Sequence, residues 1–259
     1  MKRGGIVWSW LWMIVGILYF FLPLLATFMF SLKAIKGIYS FKSYENLFAD
    51  PKFLTSFSSS VIWAILTILL GIIIFVPTAY WVRLKVPQLR PIVELLSLIP
   101  FVVPAIVYVF GLVRTYSHPP LLIVNSPGLL VAGYTVLSMP YMYRAIDTGL
   151  RAIDVQTLTE AAQSLGAGWG TILFKVIFPN IRVAILSGAF LSFAIVLGEY
   201  TLAQYLAKPA FGPYIGLLIQ NKAYEPAAAT IISFALTWAA MGILELVGRG
   251  KQVQLVGGH

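Results

Sequence analysis

The sequence contains no cysteine and only two histidines, His118 and His259. Without thiols there is no disulfide framework, no thiolate metal site and no cysteine nucleophile. Two histidines are also too few for a metal or acid–base site built from several imidazoles. The P-loop pattern G-x-x-x-x-G-K followed by Ser or Thr is absent as well, so the chain does not bind and hydrolyse ATP by that means.

Charged residues are scarce, at 10% of the 259 residues, whereas soluble globular domains carry about 25%. Hydrophobic residues make up 59% of the chain, a composition that predicts an integral membrane protein. The formal net charge is +9. In a membrane protein, we attribute this excess of positive charge to contact with anionic lipid head groups and to the positive-inside rule, and not to nucleic-acid binding.

The apolar runs predict an all-α fold with six transmembrane helices. We place these spans at 6–32, 57–82, 91–113, 126–143, 183–207 and 227–247. The first run follows a basic start, as in a signal peptide, but it is too long for one, so we interpret it as an uncleaved span. Six spans put both termini on one side, and a modest excess of basic residues predicts that this side is the cytoplasm.

These spans divide the chain into three parts. Residues 1–56 hold the first helix and an external loop, residues 57–248 form a core of five helices, and residues 249–259 are a cytoplasmic tail. Proline is expected to disturb three of the core helices. We predict a kink at Pro77, a break at Pro140, and exposed backbone groups at Pro100 and Pro104 that must face protein or a wet cavity.

One segment of mixed polarity, residues 154–179, interrupts the apolar spans. Its positions Leu158, Ala161, Ala162 and Leu165 have helical spacing and predict one face of a short amphipathic helix. Gly166 and Gly168 predict the stop of that helix.

Two residues of this segment have more than one interpretation. Glu160 follows Thr157 at the spacing of a capping box, so it either completes a cap or offers its carboxylate to a partner. Both roles are compatible if Asp154 is the actual cap. Pro179 either belongs to a functional motif or simply opens the next helix, as proline often does.

The segment resembles a known signature. It reads Glu160-Ala161-Ala162, three residues, Gly166, nine residues, Val176, one residue and Phe178-Pro179. This resembles the EAA motif of bacterial ABC-importer permeases, in which Ile and Leu are usual where Val176 and Phe178 stand here. Both differences exchange one apolar residue for another. The position between the fourth and fifth of six spans also fits that family.

The resemblance implies the type I importer permease (MetI-like) fold and a transport function without catalysis. In that family the EAA segment is the coupling helix, which seats in a groove of a separate ATP-hydrolysing subunit. The small side chains of Ala161 and Ala162 would let the docking face approach the partner closely, and Glu160 would contact a basic group of the ATPase. Gly166 would permit the turn after the helix, and Pro179 would end the segment.

The resemblance also implies the partners and the location. Two ATP-binding subunits would supply the energy, so that ATP is bound by them and this chain needs no cofactor or metal of its own. A second permease, identical or related, would complete the pathway, and an extracytoplasmic solute-binding protein would deliver the cargo. The assembly would lie in the bacterial inner membrane, surrounded by lipid and without a nucleic-acid partner.

Three residues are predicted to line a translocation path. Glu199 is the one acid placed deep within a predicted span, where a charge is costly unless it has a function. Tyr200 and Ser192 would join it in a polar lining. Glu94 and Glu245 lie near predicted span ends, where they are expected to reach water or a basic neighbour.

The cargo is the least determined property. Within the family, the short chain and the surroundings of the motif look most like the spermidine/putrescine-type permeases, which predicts a polyamine or a similar small cation. Aminophosphonate, opine, ferric iron and thiamine are the alternatives in the same class.

Two other classes of protein fit the sequence less well. A secondary transporter would use broken helices within inverted repeats, and Pro100 with Pro104 offers such a break, but no repeat is evident. A membrane-embedded enzyme would need clustered Asp, His, Cys or Ser/Lys at membrane depth, and the predicted spans contain no such cluster.

Overall fold

The computed structural model describes the backbone of residues 3–249 and the side chains of 8–243 and Leu246. Residues 250–259, which include nearly all of the predicted tail, lie outside this range, as does the side chain of Glu245. All regular elements in the described chain are helical, which confirms the all-α prediction. The longer helices are α1 (Arg3–Ser31), α3 (Pro51–Leu84), α4 (Arg90–Val102), α5 (Ala105–Tyr116), α6 (Pro127–Arg151), α10 (Arg182–Gly198), α12 (Phe211–Asn221) and α13 (Glu225–Arg249).

Short helices fill the connections between them. They are α2 (Lys42–Ala49), α7 (Val155–Ser164), α8 (Trp169–Thr171), α9 (Phe178–Asn180) and α11 (Thr201–Tyr205), with a 3₁₀ turn at Pro87–Leu89 and a π-helical stretch at Ile172–Ile177. The described chain forms two compact units. The first holds the residues up to 54 together with 214–236, and the second holds 55–213 together with the residues from 237 onwards.

Three helices, at Trp8–Ser31, Pro51–Leu84 and Glu225–Ile243, are long and apolar enough to cross a membrane. Two bent pairs would raise the number to five, if each pair forms one span. One pair is α4 with α5, bent by 100°, and the other is Trp169–Asn180 with α10, bent by 77°. The count of six spans, the position of both termini and the three-part division of the chain stay predictions.

The structure corrects the prediction that Pro140 breaks the fourth span. Helix α6 runs without interruption from Pro127 to Arg151, with Pro140 buried inside it. A proline removes one backbone hydrogen bond from a helix, but α6 regains stability by packing closely on α10. The two helices approach so closely that a Cβ on Gly149 would lie 2.4 Å from the Ala184 Cβ.

The fifth predicted span, in contrast to the fourth, is interrupted. Helix α10 ends at Gly198, Glu199 has an extended backbone with ψ of 128°, and α11 begins at Thr201. Glu199 therefore lies at a helix break and not inside a helix. Gly212 explains part of the break, because the Glu199 carbonyl oxygen occupies the space where a Cβ would stand.

The larger unit has two apolar cores. One joins the end of α3, the C-terminal half of α6, the segment around α7 and the start of α10. The other joins the middle of α3 with α5, the start of α6, the end of α10 and α11. In the smaller unit, α2 is tied to the end of α1, since the Ser43 hydroxyl donates to the Ser31 carbonyl at 2.8 Å.

Candidate coupling segment

Helix α7 begins with a side-chain cap. The Asp154 carboxylate accepts the Thr157 amide at 3.1 Å and the Thr157 hydroxyl at 2.7 Å. These two hydrogen bonds, the hydroxyl first, hold the pKa of Asp154 below its usual value because they favour the ionised carboxylate. Asp154 is thus the cap that helix α7 requires.

Glu160 has no part in that cap, so the capping-box interpretation of this residue is wrong. Its carboxylate accepts a hydrogen bond from the Gln156 amide group at 2.9 Å, one turn earlier in the same helix, and its side chain is exposed. The Glu160 charge therefore faces solvent and is available to a partner.

Gly166 ends α7, as predicted. Its φ of +78° lies in the left-handed region, and its amide donates to the Gln163 carbonyl at 2.8 Å. The Ala167 amide reaches the Ala162 carbonyl at 3.0 Å, which completes a Schellman motif. Gly168 has a different role from the predicted one, because it precedes α8 as its N-cap.

The buried face of α7 differs in part from the predicted face. Val155, Thr159 and Ala162 are buried, whereas Ala161 is exposed and Leu165 is 89% exposed. The buried face of α7 is therefore rotated relative to the predicted face, because Thr159 and not Ala161 contacts the core. Ala161 and Leu165 lie on the side of the helix that carries Glu160.

The second half of the segment exposes further apolar side chains. Phe174 is 68% exposed and Trp169 is 42% exposed. Both belong to the stretch from α8 through the π-helical turn, a geometry that is often found at functional sites. The helical backbone continues through Ile177 and Phe178, so Pro179 lies near the end of the stretch Trp169–Asn180, and the prediction that it opens the next helix is wrong. Exposed apolar groups beside a free carboxylate are typical of a protein-binding surface.

Aromatic residues at the end of α3 hold the segment in place. The Trp169 ring stacks on Trp81 with centroids 5.7 Å apart, and Tyr80 contacts the same ring edge-on at 6.0 Å. The Lys85 ammonium lies 5.6 Å from the Trp169 centroid. No local sequence pattern indicates these contacts, because they join residues 84 to 89 positions apart.

A buried hydrogen bond makes the second attachment to α3. The Tyr80 and Thr159 hydroxyls lie 2.9 Å apart, and the Thr159 hydroxyl is 2.7 Å from the Val155 carbonyl. Since Thr159 donates its one proton to that carbonyl, Tyr80 is the donor in the pair. This hydrogen bond attaches α7 to α3.

This direction of donation predicts unequal effects of two substitutions. Thr159→Val leaves the buried Tyr80 hydroxyl without an acceptor and should cost about 1–3 kcal/mol of folding free energy. Tyr80→Phe leaves Thr159 bonded to Val155 and should cost only about 1 kcal/mol. Thermal unfolding of both variants in detergent measures the difference, and equal costs would show that the assigned donor is wrong.

Ion pairs join α3, α4 and α6 just before the segment. Asp147, almost fully buried, accepts from Arg90 at 3.4 Å and from Arg151 at 2.6 Å. Glu94 accepts from the same two arginines at 2.9 and 2.8 Å. The expectation that Glu94 reaches a basic neighbour is confirmed. The i,i+4 spacing of Arg90 with Glu94 and of Asp147 with Arg151 was the available sequence signal.

The three residues proposed for a translocation path differ in their surroundings. The Glu199 carboxylate accepts backbone amides of Thr201 at 2.7 Å and Leu202 at 2.9 Å, so it caps α11. Tyr200 is 42% exposed. Ser192 is buried, and its hydroxyl donates to the Gly188 carbonyl at 2.8 Å. The lining role of these residues stays a prediction.

The fold and this segment together define a class: a helical membrane protein that carries a short amphipathic helix with an exposed face between its apolar helices. The chain belongs to the family described as binding-protein-dependent transport system inner membrane component, whose pattern matches residues 78–250. The resemblance inferred from the EAA segment is confirmed. The protein is thus a multi-pass inner-membrane permease of the ABC-importer class, and it is not an enzyme.

The names of individual relatives specify different transported solutes. The molybdate/tungstate transport system permease protein WtpB of Pyrococcus furiosus is 28% identical over 227 residues, covering 84% of this chain and 87% of that one. A probable sulfate transport system permease protein cysT of Chlorokybus atmophyticus is 30% identical, covering 74% and 70%. The spermidine/putrescine permease PotB of Salmonella typhimurium (strain SL1344) is 23% identical, covering 66% and 64%.

Solved structures show the same fold. A bacterial alginate ABC transporter, determined in complex with an alginate pentasaccharide-bound periplasmic protein, contains a chain that matches with a TM-score of 0.72 at 17% sequence identity. The match covers 96% of this chain and 95% of that one. At this identity the likeness establishes the type I importer permease fold and does not extend to the cargo.

Proposed function

We propose that this chain is the permease subunit of an importer for a small oxyanion of the molybdate, tungstate or sulfate type. The observation that carries the proposal is the set of relatives named for these anions, at 28–30% identity over most of the chain. The polyamine permease is a more distant relative, at 23% identity. The cation predicted from sequence is therefore the second candidate.

The chemistry of the chain supports an anion over a polyamine. A polyamine path needs free carboxylates and aromatic faces around its ammonium groups. Glu199, the one acid predicted at membrane depth, already directs both carboxylate oxygens at backbone amides of α11. Glu94 and Asp147 are each paired with arginines. The described core thus offers a polyamine no uncommitted carboxylate.

The energy for transport would enter through the coupling segment. Glu160, Ala161 and Leu165 form an exposed face with no partner inside the described chain other than Gln156. Gly166 sets the turn that shapes this face, and Pro179 lies near the end of the helical stretch that follows. We assign the face to one of two ATP-binding subunits, with a second permease chain and an extracytoplasmic solute-binding protein completing the importer.

Rigid-body alternating access is the corresponding mechanism. When ATP draws the two ATPases together, each coupling segment is carried with its ATPase. The stack of Trp169 on Trp81 and the Tyr80–Thr159 hydrogen bond then pass that displacement to α3. Helix α3 has 34 residues, about 50 Å at 1.5 Å per residue, so it reaches across the bilayer.

Uptake measurements test the cargo. Cells that express the chain with its ATPase, second permease and binding protein should accumulate labelled sulfate or molybdate, and excess unlabelled oxyanion should suppress this accumulation. Excess spermidine should leave it unchanged. Accumulation of spermidine alone would replace the oxyanion with the polyamine, and uptake that continues after ATP depletion would favour a secondary transporter.

A further inference from the structure

A polar cavity of about 180 Å³ lies between α4 and α6, outside the coupling segment and outside the proposed path. Its walls are formed by Glu94, Ser97, Leu98, Tyr143, Arg144, Asp147, Thr148 and Arg151. One water molecule takes up about 30 Å³ in the liquid, so the cavity has room for a tetrahedral group such as phosphate. Its charged lining makes it a candidate ligand site.

Positive charge exceeds negative charge around this cavity. Two carboxylates, Glu94 and Asp147, are surrounded by four arginines, namely Arg83, Arg90, Arg144 and Arg151. Each guanidinium carries five N–H donors and no acceptor. Because both carboxylates already accept from Arg90 and Arg151, the remaining donors exceed the acceptors that the described chain supplies.

Arg144 is the clearest excess donor. It lines the cavity and is exposed, and it makes no ion pair or hydrogen bond within the described residues. Its neighbour Tyr143 is 1% exposed, also lines the cavity, and its hydroxyl is buried without a hydrogen-bond partner. A buried hydroxyl without a partner is costly, so both residues would gain from an acceptor placed between them.

We infer that this cavity binds a phosphate-type oxyanion, either as the head group of an anionic phospholipid or as the free ion. Arg144 and Arg151 donate charge-assisted hydrogen bonds to the oxyanion, and the Tyr143 hydroxyl donates a neutral one. Arg90 neutralises the charges of Glu94 and Asp147 in the cavity wall. The site lies on the turn that ends α6, three residues before the Asp154 cap of α7, so its occupant stiffens the junction that carries the coupling segment.

Thermal unfolding of the full-length chain in lipid nanodiscs tests this site. In phosphatidylcholine discs, sodium phosphate is titrated against sodium chloride at equal ionic strength. A parallel set of discs contains phosphatidylglycerol and no added phosphate. We expect the unfolding temperature to rise in at least one arm. A rise in the phosphate arm alone identifies the free ion, and a rise in the phosphatidylglycerol arm alone identifies the head group.

Three variants locate the effect. Arg144→Gln should require about tenfold more phosphate, or phosphatidylglycerol, for the same rise, because a hydrogen bond to a charged group is lost. Tyr143→Phe should require about threefold more. Arg114→Gln removes the same charge from α5, which does not line the cavity, and should titrate as the wild type does.

Two results would overturn the inference. One is an equal response to chloride and phosphate together with no response to phosphatidylglycerol. The other is an Arg144→Gln variant that titrates as the wild type. Arg144 has no contact that folding requires, so a folded variant is expected. The test involves neither cargo nor ATPase, and therefore its failure would leave the proposed transport function untouched.

Discussion

Replacing Glu160 with arginine is expected to abolish stable association with the ATP-binding subunit and, with it, uptake. The Glu160 carboxylate is exposed and has only the Gln156 side chain as a partner. At a desolvated interface, reversal of its charge would remove an attraction to a basic group and add a repulsion. Losses of about 2 kcal/mol or more follow from such changes, which is roughly thirtyfold in dissociation constant.

Copurification of the ATPase with tagged permease measures this association. Glu45→Arg is the matched control, because Glu45 is an exposed acid on another short helix whose carboxylate contacts only Lys42 of that helix. Glu160→Gln, which removes the charge and keeps the shape, should give an intermediate loss. If Glu160→Arg and Glu45→Arg retain equal amounts of ATPase, the docking role of this face is wrong.

Gly212→Ala should destabilise the chain by about 3 kcal/mol or more. A Cβ at this position would lie 2.3 Å from the Glu199 carbonyl oxygen, 2.8 Å from its carbon and 2.9 Å from the Tyr200 Cα. All three atoms belong to the backbone, so no side-chain rotation relieves the overlap. Insertion of a methyl group into packed structure costs about 1–3 kcal/mol when neighbours yield, and here the backbone of the α10–α11 break must move.

Gly111→Ala provides the same chemical change in a different setting. Gly111 lies within α5, and a Cβ there would meet no atom within 4 Å. Alanine is favoured over glycine in a helix by about 0.5–1 kcal/mol, so this variant should be slightly more stable than the wild type. Unfolding temperatures in detergent compare the two variants. Equal stability would mean that the backbone does not approach Gly212 closely.

The bounds of helix α7 were largely predictable from sequence. Helix α7 and its end at Gly166 depend on local rules of periodicity and glycine conformation. The orientation of α7 was not predictable, and the predicted face included Ala161 and Leu165, which are exposed. Alanine suits a buried and an exposed position equally well, so Ala161 and Ala162 do not indicate which face of α7 is buried. The contact of Thr159 with Tyr80 determines that face.

The prediction that Pro140 breaks its helix and the prediction that Glu199 lies inside a helix failed for a related reason. Pro140 lies inside a continuous helix, because packing of α6 against α10 compensates for the missing hydrogen bond. Glu199 lies at a break that no local rule indicates, since the break depends on Gly212, which follows it by 13 positions and lies against its backbone. Both features depend on contacts between distant parts of the chain.

The sequence by itself determined the membrane class, the all-α composition, the permease family and the place of the EAA motif. These follow from composition, helical period and a 20-residue motif, all of which are local properties of the chain. Tertiary structure alone decided which face of α7 is free, how Trp169 and Thr159 attach the segment to α3, and how Glu94 and Asp147 share arginines beside a polar cavity. The reason is physical: such contacts form only when packing brings together residues that are between 57 and 88 positions apart in the sequence.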